Sequence, residues 1–425
     1  MDPLEELFSL EQFGIKFGLE NMRAICASLG HPERAWRSVI IAGTNGKGSV
    51  AAFVETALRA AGFRTGRYTS PHLVSLEERF GIDGRPVATA RMREAVAIVL
   101  RHVASLRATG VLDVQPTFFE ATTAVAFELF RHAAVDVAVL EVGMGGRLDA
   151  TNVAEPIAGA ITTIDFDHER YLGSTLAAIA FEKAGVIKPG MTVIVGERKP
   201  EPVDVIARAC RERSATFVAA ADGVRASTGS GGERTRLTLR TPADEYGTIT
   251  LGLLGAHQVD NAIVAVRLLE ALREQGLDIP RAAIVTGLEE ARWPGRLEWR
   301  RLPEGRVLLD AAHNPAGAVA LAGYLRQARP AGLPLVFGAM KDKAIAPMLD
   351  ALLPCATRLI ATQPTNRRAA DPADVAALAR RIRPAVPVSV VPEPAAAVRE
   401  AFSGAGEACV AGSIFLLGDV ISALE

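Results

Sequence analysis

Ala42-Gly-Thr-Asn-Gly-Lys-Gly-Ser49 gathers more residues suited to holding phosphate than any other string in the chain. Its glycines, Gly43, Gly46 and Gly48, permit close backbone approach and positive φ, and the amides of Thr44 and Asn45 can point at phosphate oxygens. Lys47 adds a positive charge. The string follows the apolar run Val39-Ile-Ile-Ala42 and precedes a helical pattern from Ser49 to Ala61 that Ser49 is expected to cap. Strand, glycine-rich loop and helix together are the context of a phosphate cradle, as against a plain strand-to-helix turn. The string is not a strict Walker A, because Ile41 occupies the place of the first glycine and Gly48 follows the lysine.

Phosphoryl transfer from ATP requires Mg²⁺, held by few protein oxygens plus water and phosphate. Glu141 ends the apolar run Val137-Ala-Val-Leu-Glu141 and enters Gly143-Met-Gly-Gly146, where a structural acid would be poorly compensated. Metal ligation is therefore expected there in preference to helix capping or an ion pair. Asp165-Phe-Asp167-His168 ends the next apolar run, and neutral His168 is a second candidate ligand, although a lone histidine is usually a satisfied surface or core residue. Glu182-Lys183-Ala-Gly185 follows one helix later. A cation beside Mg²⁺ would be repelled, so by residue chemistry alone a salt bridge is the better reading of Lys183.

The elements that must position these groups alternate short apolar runs with amphipathic stretches from about residue 36, the pattern of βαβ units in an α/β fold with a mostly parallel sheet. Further strands are expected at 159–165 and 192–195, and ligands in such sheets collect at the carboxyl ends of strands. The stretch from about 214 to 251 alternates with a period of two between Gly- and Ser-rich turns and is read as a small antiparallel addition. Helical periodicity returns over 257–274. The pattern breaks near Trp293-Pro-Gly-Arg296, and a second βα series runs through 307–310, 335–339, 358–362 and 388–391. Within it Asp371-Pro-Ala-Asp374 has the makings of a capped helix start. Two domains follow, 1–295 and 296–425, as 425 residues would suggest by themselves.

A net charge of −1, from 47 basic and 48 acidic residues, argues against a broad nucleic-acid surface. Cys26, Cys210, Cys355 and Cys409 lie far apart with no CxxC pair and are expected to be reduced and packed. The N-terminus lacks the pattern of a secretory signal, and no run approaches the ~18 apolar residues of a membrane span. A cytoplasmic monomer without nucleic-acid or membrane partners is expected.

In combination these strings resemble the folylpolyglutamate synthase and dihydrofolate synthase family of the Mur ligase superfamily. The resemblance runs from Gly14–Asn21 to Gly412–Leu416 and includes AGTNGKGS at 42–49, TSPHL at 69–73, EVGMGGRLDATN at 141–152, DFDH at 165–168, EKAGVIK at 182–188, HQVDNA at 257–262, RWPGRLE at 292–298 and DAAHNP at 310–315. It implies a P-loop-type central domain with a small antiparallel sheet, followed by a smaller Rossmann-like domain. It also implies that Lys47 and the amides of 43–49 contact the β and γ phosphates, and that Ser70, Glu141 and His168 hold Mg²⁺, in two ions. Lys183 matches a lysine carried as a carbamate, which would turn the unwanted cation into an anionic oxygen ligand. Asn261 would meet adenine, Arg296 the phosphates and Asp310 the ribose, with His313 near the nucleotide and Ser413 near the incoming glutamate. Pro71, His72, Thr117, Phe119, Arg147 and Asp149 match segments that frame the pterin, against a helix-core reading of Phe118 and Phe119.

The expected reaction is transfer of the γ-phosphoryl of ATP to a carboxylate of dihydropteroate or a reduced folate, followed by attack of L-glutamate on the acyl phosphate. A break near 293–298 would let the second domain close over the site. The Arg147-Leu-Asp149 form of the loop looks more like bifunctional bacterial members. Two rivals are a cell-wall Mur ligase, disfavoured by the ~40 residues ahead of the loop and by SPHL and GGRLDATN, and a P-loop ATPase without ligase activity.

Overall fold

Continuous aliphatic runs become strands buried on both faces, as a parallel sheet covered by helices requires. In the computed structural model, which describes residues 2–14, 16–231 and 234–424, eight strands form the first sheet: β1 (Arg37–Ala42), β2 (Thr65–Tyr68), β3 (Phe80–Ile82), β4 (Arg85–Pro86), β5 (Val137–Glu141), β6 (Ala158–Ile161), β7 (Thr192–Val195) and β8 (Thr216–Ala219). Their order is β4-β3-β2-β5-β1-β6-β7-β8. Only β3 and β4 run antiparallel to their neighbours. β1 sits between β5 and β6, with Ile41 opposite both Glu141 and Ala160. The loops that leave the carboxyl ends of these three strands therefore start side by side.

The strand expected over 159–165 stops at Ile161. Thr162 and Thr163 are β-branched and read as strand, yet their backbone and hydroxyls turn toward the glycine-rich loop: the Thr44 amide donates to Thr163 O at 2.7 Å, and the Thr162 hydroxyl to Asn45 O at 2.6 Å. The helix after the loop spans Lys47–Ala60 and is capped by Gly46 at φ 89°, so Ser49 lies inside its first turn and is not its cap. Glycine adopts that conformation without the Cβ penalty that serine would meet.

The stretch from 214 also divides differently. Thr216–Ala219 joins the large sheet as its parallel edge strand. The small sheet holds β9 (Arg225–Gly231), β10 (Arg234–Arg240) and β11 (Glu245–Thr250), in the order β11-β10-β9. A turn closed by the Thr241 amide on Asp244 O, with Thr238 and Thr248 hydroxyls 2.8 Å apart, makes β10 and β11 an antiparallel hairpin. Residues 232 and 233 of this stretch, like Ile15 in the N-terminal string, lie outside the described residues.

A third sheet has the order β12-β13-β17-β14-β15-β16, from β12 (Glu298–Leu302), β13 (Gly305–Leu309), β14 (Leu333–Phe337), β15 (Ala356–Ala361), β16 (Val388–Val390) and β17 (Glu407–Ala411). It is parallel apart from β12. Pro372–Ile382 starts as its sequence predicts, with the Asp371 carboxylate accepting from the Ala373 amide and proline at the first position.

The chain divides into two compact units, one of Met1–Ser227, Thr238–Ile249 and Asp260–Ala291, the other of Thr228–Leu237, Thr250–Val259 and Arg292–Glu425. In the first, the Arg281–Glu290 helix packs on the Lys47–Ala60 helix so closely that a side chain at Gly287 would strike Ala57. In the second, Leu308, Leu335, Phe337, Leu359 and Cys409 build a core with the helices over the sheet. All four cysteines are buried and free. Among the described residues no helix is long and apolar enough to cross a membrane.

Candidate active site

The glycine-rich loop is pinned from outside. Thr44 Oγ1 donates to Asp165 O and accepts from the Asp165 amide, both at 3.1 Å. The Asn45 amide donates to Thr163 Oγ1 at 3.2 Å. Side chains at Gly43 or Gly46 would collide with Thr162 and with the Asn261 carboxamide. Asn261, near the start of the His257–Glu274 helix, thus packs against the loop. Gly46→Ala is expected to weaken ADP binding at least about tenfold, because it adds a clash to a positive-φ position; calorimetric titration measures it.

Two lysines meet this loop. Lys47 Nζ donates to Gly43 O at 3.1 Å and Thr44 O at 3.2 Å. Lys183, buried at the end of the Leu176–Ala184 helix, donates to the same Gly43 O at 2.8 Å. The salt bridge that residue chemistry favoured is not its contact: Lys183 Nζ bonds a carbonyl, and the neighbouring Glu182 pairs with Arg147 at 2.9 Å. Burial, reinforced by the Lys47 charge, pushes the Lys183 pKa down to about 7.

Glu141 is 6% exposed at the end of β5. His168 has positive φ and a side chain 41% exposed, with Nε2 3.9 Å from Asp167 Oδ2. Among the described residues no three His, Cys, Asp or Glu side chains gather into a metal cage. Such donor poverty suits Mg²⁺, which keeps waters and phosphate oxygens, and does not suit Ca²⁺ or structural Zn²⁺. The Glu141 carboxylate, at a strand end beside a phosphate cradle, fits that ion.

The Ser70–Pro71 peptide is cis. His72 Nδ1 accepts from Arg79 Nε at 2.9 Å, and burial together with the Arg79 charge lowers its pKa to about 4, so its imidazole is neutral at pH 7. Thr117-Phe-Phe-Glu120 is a capping box: Thr117 Oγ1 accepts from the Glu120 amide at 3.1 Å, and Glu120 Oε2 from the Thr117 amide at 2.7 Å. The spacing of Thr and Glu carries this signal in the sequence. Thr117→Ala is expected to cost about 1 kcal/mol, read from the shift in urea midpoint. Phe118 and Phe119 are part-buried and pack against the core, as the helix-core reading has it. Phe118 stacks on Phe8 at 5.8 Å, and Phe119 lies 5.9 Å from Tyr68 and directly under the Gly143 backbone.

In the loop from Gly145 to Asn152 the Asp149 carboxylate organises its own loop, accepting from Met144 N at 2.9 Å, Thr151 N at 3.1 Å and Thr151 Oγ1 at 2.6 Å. Asn152 Nδ2 ties the loop down by donating to Arg147 O and Gly185 O. Sequence reasoning missed the loop-clamping role of Thr162 and Thr163, legible only as two threonines after an apolar run, and the buried Arg79, for which no local signal exists.

In the second unit the Asp310 carboxylate accepts from Leu297 N at 2.9 Å and Ala312 N at 3.0 Å, and burial raises its pKa. Arg296 Nη1 donates to Ala311 O at 3.3 Å, and His313 Nδ1 lies 2.9 Å from the same oxygen. One short turn therefore collects all three. Ser413 is buried, its Oγ accepting from the Phe415 amide at 3.1 Å.

Residues 88–269 match the Mur ligase middle domain, and residues 295–417 the Mur ligase glutamate ligase domain. The chain is 37% identical to the dihydrofolate synthase/folylpolyglutamate synthase of Bacillus subtilis over 347 residues, 80% of each protein. A Mycobacterium tuberculosis folylpolyglutamate synthase complexed with ADP superposes with a TM-score of 0.91 at 34% identity, covering 100% of this chain and 99% of that one. A bifunctional folylpolyglutamate synthase/dihydrofolate synthase with Mn, AMPPNP and L-glutamate bound superposes with a TM-score of 0.84 at 29% identity, covering 100% and 98%. With its phosphate cradle, strand-end Glu141 and buried Lys183, the chain belongs to the folylpolyglutamate synthase/dihydrofolate synthase family of Mur ligases, ADP-forming enzymes that add glutamate in folate metabolism.

Proposed function

We propose that this protein is bifunctional, adding L-glutamate both to dihydropteroate and to the glutamyl end of reduced folates, and that it does so as a monomer. The observation that carries the ligase reading is the meeting of Lys47 and Lys183 on the Gly43 carbonyl, beside the strand end that bears Glu141. Hydrolysis alone needs no second lysine there. The like function of the B. subtilis relative, named for both activities, supports the double acceptor range.

In this reading the amides of 43–49 and the Lys47 ammonium hold the β and γ phosphates of ATP, and Asn261 lies against the adenine. Arg296 serves the phosphates, Asp310 the ribose and His313 the nucleotide, while Ser413 meets the incoming glutamate. Ser70, Glu141 and His168 would hold two divalent ions, which supply charge neutralisation on the transferring phosphoryl group. The Lys183 amine, with its pKa lowered to about 7, is set up to add CO₂ and release a proton, leaving a carbamate oxygen toward the same charges. The acceptor carboxylate attacks the γ-phosphorus and ADP leaves. The glutamate amine then attacks the acyl carbon and phosphate leaves. Lys47 balances the negative charge that builds during the first step. Pro71, His72, Thr117, Phe119 and Arg147 frame the pterin, and Asp149 acts by holding the loop that Arg147 belongs to.

ADP release measured with ATP and glutamate, with dihydropteroate or tetrahydrofolate as acceptor, tests this. Both acceptors are expected to drive turnover. An enzyme served by one acceptor alone is not bifunctional, and ADP release without either acceptor would restore the simple ATPase.

A further inference from the structure

Arg79 is buried, 8% exposed, where Leu76–Arg79 passes into β3. Its Nε is used on a neutral partner, His72 Nδ1, at 2.9 Å, and its guanidinium lies 5.3 Å over the Phe118 ring. Among the described residues no Asp or Glu forms an ion pair with it; the Tyr68 hydroxyl hydrogen-bonds it, and Glu11 and Glu141 act on it through space. Arg93, Arg131, Arg147 and Arg267 of the same unit all have such a partner. A guanidinium taken out of water without a counter-ion is costly, and its fork is shaped for a carboxylate. The nearby Asp149 carboxylate is engaged in its own loop. The phosphates of the nucleotide have Lys47 and the loop amides. That leaves the organic acceptor, whose acid group is its only fixed negative charge in dihydropteroate.

We propose that Arg79 is the acceptor's carboxylate anchor, a specificity-determining residue that admits anionic acceptors between His72 and the Phe118 ring and disfavours neutral ones. The inference rests on the acceptor being a pteroate or folate, as proposed above. Tyr68, Thr122 and Thr123 form a buried hydroxyl group joined to one another: the Tyr68 hydroxyl lies 2.9 Å from Thr122 Oγ1 and accepts from Thr123 Oγ1 at 3.2 Å. His72 contributes as a positioning residue, because its Nδ1 accepts from Arg79 Nε at 2.9 Å and so fixes the plane of the fork.

The test crosses charge on the ligand with charge on the protein. Equilibrium dissociation constants are measured by calorimetry for dihydropteroate and for its methyl ester, on the wild type and on Arg79→Met and Arg79→Lys. The wild type is expected to bind the acid about 10- to 100-fold more tightly than the ester, the range for a hydrogen bond to a charged group. Arg79→Met is expected to bind both alike while keeping wild-type affinity for ADP, which reports that it has folded. Arg79→Lys, a charge without the fork, should keep part of the preference. A wild type that binds acid and ester equally overturns the inference without recourse to any variant, and so does an Arg79→Met protein that still prefers the acid. A wild type that binds ADP but neither form of dihydropteroate instead overturns the folate reading itself.

Discussion

Lys183→Ala is expected to lower ligase turnover by at least about a thousandfold, the scale of losing a preorganised charge at a phosphoryl-transfer site. The reason lies in the state of the amine. An ordinary lysine with pKa near 10.4 has less than about one neutral molecule in a thousand at pH 7, too little to hold CO₂. Burial and the Lys47 charge bring Lys183 down to about 7, so about half of the unmodified amine is neutral there. CO₂ adds to the neutral form, and modification of wild-type protein, read by mass spectrometry under mild conditions or by ¹³CO₂ NMR, should rise as pH climbs through 7. The truncated side chain also leaves a hole the size of a short carboxylate. Formate or acetate should therefore restore part of the activity of Lys183→Ala and none of that of Glu141→Ala. Full activity of Lys183→Ala with no added acid would end the carbamate proposal.

Lys47→Met is expected to produce the second large effect, a fall of about 10²- to 10³-fold in kcat/KM for ATP. Its ammonium donates to the Gly43 and Thr44 carbonyls and can exchange them for phosphate oxygens. The variant has a further signature. Lys47 helps to hold the Lys183 pKa down, so its removal must let that pKa climb. A higher pKa means less neutral amine at pH 7 and less carbamate, and the pH at which ¹³CO₂ labels Lys183 should move upward. Unchanged labelling in Lys47→Met would separate the two lysines and remove the electrostatic link drawn between them.

Much of this site can be read in the linear sequence, because its parts sit at ends of elements that announce themselves. Val137–Glu141 and Thr192–Val195 are strands over the residues their apolar runs mark, and His257–Glu274 is a helix over its predicted span. The glycine-rich loop falls between strand and helix as expected. What stays hidden has two physical sources. Local propensity misleads where side chains have other partners: Thr162 and Thr163 look like strand but clamp the loop. The other source is distance along the chain. Lys183 meets Gly43 across 140 positions, and His72 meets Arg79 only because a 3₁₀ turn folds back between them. No periodicity encodes either contact. β12, β17 and the edge strand β8 were likewise illegible, being short segments placed by a sheet that already existed.

The central claim is that the acceptor carboxylate is activated by phosphorylation before glutamate attacks. Dihydropteroate labelled with ¹⁸O in its carboxylate, incubated with the wild-type enzyme, ATP and glutamate, should yield inorganic phosphate carrying one ¹⁸O atom for each dihydrofolate formed. Dihydrofolate formed with unlabelled phosphate would contradict it.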